Sequence, residues 1–406
     1  MQRALIIAAA ALVLLGLGVG AYFFFFTGSA SVTVAPAGSA TLPSAGQTST
    51  PSAGSPSAPS LALPSSSSSS ASPVAVSARL VKISAGPVVP GEAVVDQSAA
   101  TASSTPGVAV NYIERQSGNV YAYLTGTKTI TRVSNKTLPG IESASWLPDG
   151  SLAFVRYLSG ADFSTVNTYA LFATSSDGFF LPQDLADLAV APSGILALAS
   201  GVNGSVASLE HTDGSHATTV FTTPLSAVRA SFAGKNQYLV FTKPAATVPG
   251  DAFLVDGAGH FSRIAGPLPG LVALASPSGK WLLVSYTRNG TLQMELVNTT
   301  TGETLTLPVA TIADKCVWTA DESALYCGVP VTPPPGTYPD DWYQGVAHFS
   351  DKIWKINVAG RYAQLVLDFS SANSGTLDAE SLAVDAADTT LVFVNKNDGS
   401  LWSYAL

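Results

Sequence analysis

Trp146-Leu147-Pro148-Asp149-Gly150, followed at once by Leu152-Ala153-Phe154-Val155, is a turn feeding an apolar strand. Pro presets φ, and Asp-Gly supplies a residue that tolerates positive φ, which is what a tight reversal needs. A turn in the same position recurs along the chain, with varying residues. Ala191-Pro192-Ser193-Gly194 precedes Ile195–Ala199, Phe232-Ala233-Gly234-Lys235 precedes Tyr238–Phe241, and Ser276-Pro277-Ser278-Gly279 precedes Trp281–Val284. Trp318-Thr319-Ala320-Asp321 precedes Ala324–Tyr326, and Asp385-Ala386-Ala387-Asp388 precedes Leu391–Val394. A second turn closes five of these units later, at Asp177-Gly178, Asp213-Gly214, Gly257–Gly259, Thr301-Gly302 and Ala359-Gly360. A spacing of roughly 35–60 residues, with short strands between the turns, is that of four-stranded propeller blades.

These turns mark six units. A seventh opens the array, with Ala93–Gln97 as its innermost strand, a Ser/Thr-rich loop at 98–105, and Gly107–Glu114 and Asn119–Leu124 as its middle strands. The last strand of the chain, Leu401–Leu406, is only the third of its blade, and Arg79–Ser84 reads as a strand with no local partner. The second should complete the first's sheet, because closing a ring removes exposed strand edges. The expected fold is all-β, a seven-bladed β-propeller over 79–406, with six or eight blades as the alternatives.

Upstream of the propeller the texture changes abruptly. Arg3 is the only charged side chain before Arg79, which leaves 18 basic and 27 acidic residues beyond it, a net −9. Residues 4–26 are apolar or small throughout. As a helix they would span roughly 34 Å, enough for a hydrocarbon core of about 30 Å. The expectation is a signal anchor over 1–27, with cleavage near Gly28-Ser29-Ala30 as the alternative. Arg3 keeps the N-terminus inside, so the propeller should lie outside the cytoplasmic membrane in a single-pass arrangement. Residues 28–78 are mostly Ser, Pro, Ala, Gly and Thr, including the run Ser65–Ser70. They have almost nothing to bury and read as a disordered tether with an r.m.s. reach of roughly 40 Å.

Composition also restricts function. No Lys/Arg cluster occurs, so the counterion displacement that drives nucleic-acid binding is not expected. The four histidines, His211, His216, His260 and His348, are scattered over turns, and no cofactor or metal site is expected. Phosphate-loop, zinc-helix and Gly-x-Ser-x-Gly patterns do not occur. Cys316 and Cys327 flank the inner turn of the sixth blade; if the hairpin pairs them, Trp318 faces Leu325 and a disulfide is feasible outside the cytoplasm. Two buried free thiols are the alternative.

The most unusual segment is Val331–Ser350, inserted between the second and third strands of the sixth blade. It carries Tyr338, Asp340, Asp341, Trp342, Tyr343 and Gln344, a mixture of aromatic area and polar handles suited to protein or polymer contacts. The competing reading is that the loop folds over its own blade or plugs the central channel, which would bury Trp342 and Tyr343. Basic residues recur at the ends of second strands, Arg115, Arg156, Lys243, Arg288 and Lys396, and would form a broken positive ring on the insertion's face. Solvated strand-end charges are the plain alternative.

Leu80-Val81-Lys82-Ile83-Ser84-Ala85-Gly86-Pro87-Val88, Tyr112-Ile113-Glu114-Arg115, Gly118-Asn119-Val120-Tyr121 and Ile130-Thr131-Arg132-Val133-Ser134-Asn135 carry a resemblance. Cys316-Val317-Trp318, Tyr326-Cys327-Gly328-Val329-Pro330, Pro339-Asp340-Asp341-Trp342-Tyr343-Gln344-Gly345 and Phe349-Ser350-Asp351 extend it. Over nearly all of 79–406 the chain resembles a group of membrane-anchored β-propeller proteins of ultra-small, candidate-phylum bacteria. More distantly it is similar to TolB-type and WD40-like propellers, which act through protein partners. The resemblance implies an anchored propeller and no particular activity.

The function expected is therefore a binding or scaffold module rather than an enzyme. It would contact a protein or an envelope polymer through Tyr338, Asp340, Asp341, Trp342, Tyr343, Gln344, Arg115, Arg156 and Arg288. A cell-surface glycan hydrolase or lyase, with its site at the channel mouth, is the alternative.

Overall fold

The computed structural model describes residues 73–97, 107–175, 177–372 and 374–406. The apolar segment 4–26, nearly all of the tether and the loop 98–105 lie outside the described residues. Among the described residues no helix is long and apolar enough to cross a membrane.

Seven antiparallel sheets make up the described fold: six have four strands in sequence order, and the seventh combines the last three strands of the chain with two from its N-terminal side. The first blade is Ala93–Gln97, Gly107–Ile113, Val120–Leu124 and Thr129–Arg132; the second starts at Ile141–Trp146 and Leu152–Ser159. The third opens with Leu185–Ala191 and Gly194–Gly201, the fourth with Val228–Phe232 and Gln237–Thr242, and the fifth with Val272–Ala275 and Trp281–Arg288. The sixth is Cys316–Trp318, Ala324–Pro330, Asp351–Asn357 and Tyr362–Asp368. All six repeated turns join first to second strands, which establishes the seven-bladed propeller.

Packing explains why the second strands were so readable. Each is sandwiched between neighbouring blades, so both of its faces are covered and the run is continuously apolar instead of alternating. Leu391, Val392, Phe393 and Val394 are all at most 1% exposed, and Leu152 to Val155 are buried likewise. First strands, crowded near the axis, use small residues such as Ala144, Ala230 and Ala273. Outer strands face solvent, and Tyr362–Asp368 is largely exposed.

The seventh blade closes the ring as expected. Ala379–Val384, Thr390–Asn395 and Leu401–Ala405 are joined by the N-terminal strand Leu80–Lys82, with Leu80 opposite Tyr404 and Lys82 opposite Trp402. Arg79 Nε donates to the Ala405 carbonyl at 2.6 Å across the same seam. The sheet extends one strand further than the sequence suggested: Val74–Ala75, within the stretch read as tether, pairs with Val81 and Lys82.

Glycine is required where the inner turns of the fourth and fifth blades meet. Gly234 and Gly279 both have positive φ, and a Cβ on either would lie 2.2 Å from the facing carbonyl, that of Ser278 or Ala233. Cys316 pairs directly with Cys327, and Trp318 with Leu325. The two cysteines form a disulfide with their Cα atoms 4.1 Å apart. A loop this short contributes about 2–3 kcal/mol of closure entropy.

Candidate functional site

In a four-stranded antiparallel blade, the connection from second to third strand and the entry to each first strand lie at the same end. That end is the insertion face. It carries the 331–350 segment, the basic residues that end the second strands, and the charged residues that precede first strands, namely Glu92, Asp314, Lys315 and Asp378.

The insertion is held by buried charge. Lys315 is wholly buried; its ammonium meets Asp378, lies 2.8 Å from Asp351 Oδ2 and donates to the Ala379 carbonyl at 2.9 Å. Asp378 in turn accepts from the Trp342 indole at 3.1 and 3.2 Å and from the Phe349 amide at 2.9 Å. The Trp342 ring has two ammoniums within cation–π range, Lys315 at 4.9 Å and Lys396 at 4.6 Å from its centroid. Two carboxylates around one fully buried lysine leave a surplus of negative charge. Burial, with the Asp378 charge adding to it and Lys315 opposing, pushes the Asp351 carboxyl up to about 6. The protonated form relieves desolvation.

Within the insertion, Asp340–Tyr343 is one helical turn. Asp341 Oδ2 accepts the Thr337 amide at 2.6 Å, and the Tyr338 hydroxyl donates to the Pro334 carbonyl. The segment reaches well beyond its own blade. Asp340 Oδ2 accepts the Ala246 amide of the fourth blade at 2.8 Å, and Thr287 of the fifth donates to the Tyr338 carbonyl at 2.8 Å. The bonds to Asp378 tie it to the seventh. The insertion thus reaches across the face from the fourth to the seventh blade; it buries Trp342, as the competing reading expected, but leaves Tyr343 37% exposed.

The nine candidate contact residues separate accordingly. Tyr338 and Trp342 are each 3% exposed and anchor the insertion instead of offering surface. Asp341 is spent on its own turn. Arg115 pairs with Glu142 at 2.6 Å, between the first and second blades. Arg156 donates to the Leu185 carbonyl, and burial, with Asp187 opposing, lowers its pKa. Arg288 is exposed beside Tyr286 of its own strand, 5.4 Å from the ring centroid. The broken positive ring is therefore largely taken up by local partners.

Asp340, Tyr343 and Gln344 do converge. With Arg229, Lys243 and Pro244 they line a cavity of about 470 Å³. Arg229 Nη1 donates to Asp314 Oδ2 at 2.6 Å, and the Tyr343 hydroxyl donates to the same oxygen at 2.7 Å. Burial works against the Arg229 charge, but Asp314, Tyr343 and Asp187 outweigh it and raise its pKa. Burial and the Asp314 charge raise the Tyr343 phenol well above its usual value. At any physiological pH the wall thus holds a fixed cation, a neutral phenol, the exposed Lys243, and the Asp340 carboxyl. Arg229 was missed at the sequence level; its signal is a lone charge inside the first strand Val228–Phe232.

Besides a cavity of about 590 Å³ around Gly201 and Gly204 of the third blade, two more open on this face beside the insertion. One of about 380 Å³ lies between the fifth and sixth blades, lined by Leu292, Val309, Val331, Pro333 and Trp354 among others. The other, of about 830 Å³, runs between the sixth and seventh. Among the described residues no group of three or more His, Cys, Asp or Glu side chains is placed to hold a metal ion.

No protein-family model and no curated protein sequence matches the chain. Solved structures do resemble it. An oligogalacturonate lyase from Vibrio parahaemolyticus is 8% identical, aligned over 80% of this chain and 93% of that one, with a TM-score of 0.53. A second oligogalacturonate lyase, solved in complex with manganese, is 10% identical over 79% and 98%, with a TM-score of 0.51. The β-propeller domain of the trilobed protease from Pyrococcus furiosus is 8% identical over 77% and 93%, at 0.48. At such identities the likeness to the two lyases is one of fold, and the chain shares with them the β-propeller architecture.

Proposed function

We propose that the protein is a membrane-anchored, extracytoplasmic binding or scaffold propeller that contacts a protein or envelope polymer through its insertion face. The observation that carries this reading is the cavity beside Tyr343. An insertion fixed by the Lys315–Asp378–Trp342 cluster presents Asp340, Tyr343 and Gln344 against Arg229 and Lys243. Opposite charges, an amide and a partly exposed aromatic ring on a rigid support make a surface that binds without reorganising. The apolar run 4–26, with Arg3 before it, and the resemblance to anchored propellers support the membrane attachment and its orientation. The test is a crosslinking pull-down from native membranes comparing the parent with a Tyr343→Ala, Gln344→Ala variant. Loss of a specific partner supports the reading, and an unchanged set of partners removes the cavity from it.

A glycan lyase or hydrolase is the rival, and one observation favours it. Burial pushes the Glu92 carboxyl up to about 8, with neighbouring Glu380 adding a little, so it is largely protonated at neutral pH. A raised carboxyl is a candidate general acid. Neither of its oxygens reaches a hydrogen-bond partner, although Ser381 is near. Yet Glu92 lines none of the cavities described above. Among the described residues no group of three or more His, Cys, Asp or Glu side chains is placed to hold a manganese ion, and no step is routed through a metal. Incubation with oligogalacturonate decides: an unsaturated product that disappears in Glu92→Gln would favour the rival, and no product excludes this substrate.

A further inference from the structure

The 830 Å³ groove between the sixth and seventh blades has a different chemistry from the cavity beside Tyr343 and shares none of its residues. Its apolar lining is Phe349, Leu377 and Trp402, each at most 4% exposed, with half-buried Val76 beside them. The polar part is almost entirely amide, hydroxyl and imidazole. Asn397 and His348 are exposed, and Ser350, Ser374 and Thr376 lie alongside. The two charged residues there neutralise one another: Lys82 Nζ lies 3.2 Å from Asp398 Oδ2, while Asp398 Oδ1 accepts from Asn395 at 2.7 Å and also from Ser400. Asn395 is itself 3% exposed and fixed, its Oδ1 accepting the Asp378 amide at 3.0 Å.

We infer that this groove is a binding site for a neutral saccharide. Groups that can both donate and accept, as amides, hydroxyls and imidazole do, match the hydroxyls of a sugar, each of which is also donor and acceptor. Val76 is the one half-buried apolar side chain in the lining, so recognition rests on the polar groups, and a volume of several hundred Å³ accommodates two or three pyranose rings. The absence of an unspent charge in the groove argues against a uronate or a phosphate, since neither would recover the cost of its desolvation. The groove also depends on ring closure, because Val76 and Lys82 belong to the N-terminal segment while Asn395, Asn397 and Trp402 come from the C-terminal blade.

The test uses the full chain in a detergent without a sugar headgroup, titrated calorimetrically with tetra-N-acetylchitotetraose and, separately, with trigalacturonate. Saturable binding of the acetylated tetramer is expected, weakened about fivefold or more by either His348→Ala or Asn397→Ala. Both residues are exposed, so thermal unfolding of each variant should match the parent. A Tyr343→Ala, Gln344→Ala variant should bind the sugar as the parent does, which keeps this site separable from the one proposed above. No binding at millimolar sugar, equal or tighter binding of trigalacturonate, or affinities unmoved by both groove variants would each overturn the inference.

Discussion

Trp342 donates its indole N–H to both carboxylate oxygens of Asp378, at 3.2 and 3.1 Å, and both side chains are buried. This single donor links the insertion to the entry of the seventh blade and helps satisfy a carboxylate that also faces Lys315. Charged groups buried this deeply persist only when each has its partners.

Trp342→Ala should therefore cost about 3–5 kcal/mol, combining a large cavity with an under-satisfied Asp378. The loss should be local before it is global. Amides of Val346, Ala347 and Phe349, which bond Asp341 and Asp378, should exchange with solvent faster in the variant while the second strands stay protected. Equal protection of these amides in variant and parent would show that the indole bond does not hold the insertion. Tyr343→Phe, which removes only the bond to Asp314, should cost about 1 kcal/mol.

Glu92 and Asp351 set the direction of the pH dependence. Both carboxyls titrate higher in the folded chain than in the unfolded one, near 8 and 6 against ordinary values of 4.5 and 3.8. The folded state therefore holds more protons in the interval between, and stability falls as pH rises: through 4–6 for Asp351 and through 4.5–8 for Glu92. Glu92→Gln cannot ionise. It should flatten the decline and raise stability at pH 8 by about 1–3 kcal/mol, with little change near pH 5. Denaturant unfolding at the two pH values checks this; parallel pH slopes for parent and variant would refute it.

Gly279 and Gly290 separate steric crowding from backbone strain. Both have φ near +75°, but a Cβ at Gly279 would meet the Ala233 carbonyl at 2.2 Å, whereas Gly290 has nothing within 4 Å. Gly290→Ala should cost about 1 kcal/mol, the penalty of a left-handed residue. Gly279→Ala should cost at least about 2 kcal/mol more, because two blades must move apart. Equal midpoints in a thermal melt would show that the contact between the fourth and fifth blades is soft.

Much of the fold was legible because local rules and burial agree. Leu391–Val394 has one reading once both faces are covered, the Cys316–Cys327 pairing follows from hairpin register, and Arg79–Ser84 had nowhere else to pair. What escaped was whatever depends on partners distant along the chain. The aromatic and acidic texture of 338–344 suggested surface, yet Trp342 is enclosed by Lys315, Asp378 and Lys396, none of which lies near it in sequence. Arg229 and Asp314 are 85 residues apart and meet only because the blades close around an axis. Val74–Ala75 was hidden by the Ser/Pro-rich run before it: two residues are too few to show a period.

The closing seam has a mechanical side. A load applied through residue 73 does not reach the ring at once. It first unzips Val74 and Ala75 from Lys82 and Val81, one antiparallel pair at a time, and this hairpin yields at low force. Only then does tension fall on Leu80, opposite Tyr404, and on the Arg79–Ala405 bond. Three residues of pairing stand between that point and an open ring with two free sheet edges. Leu80–Lys82 is thus a clasp with a short fuse in front of it, and the rate at which it slips, more than the equilibrium stability of any blade, sets how long the propeller stays closed under pull.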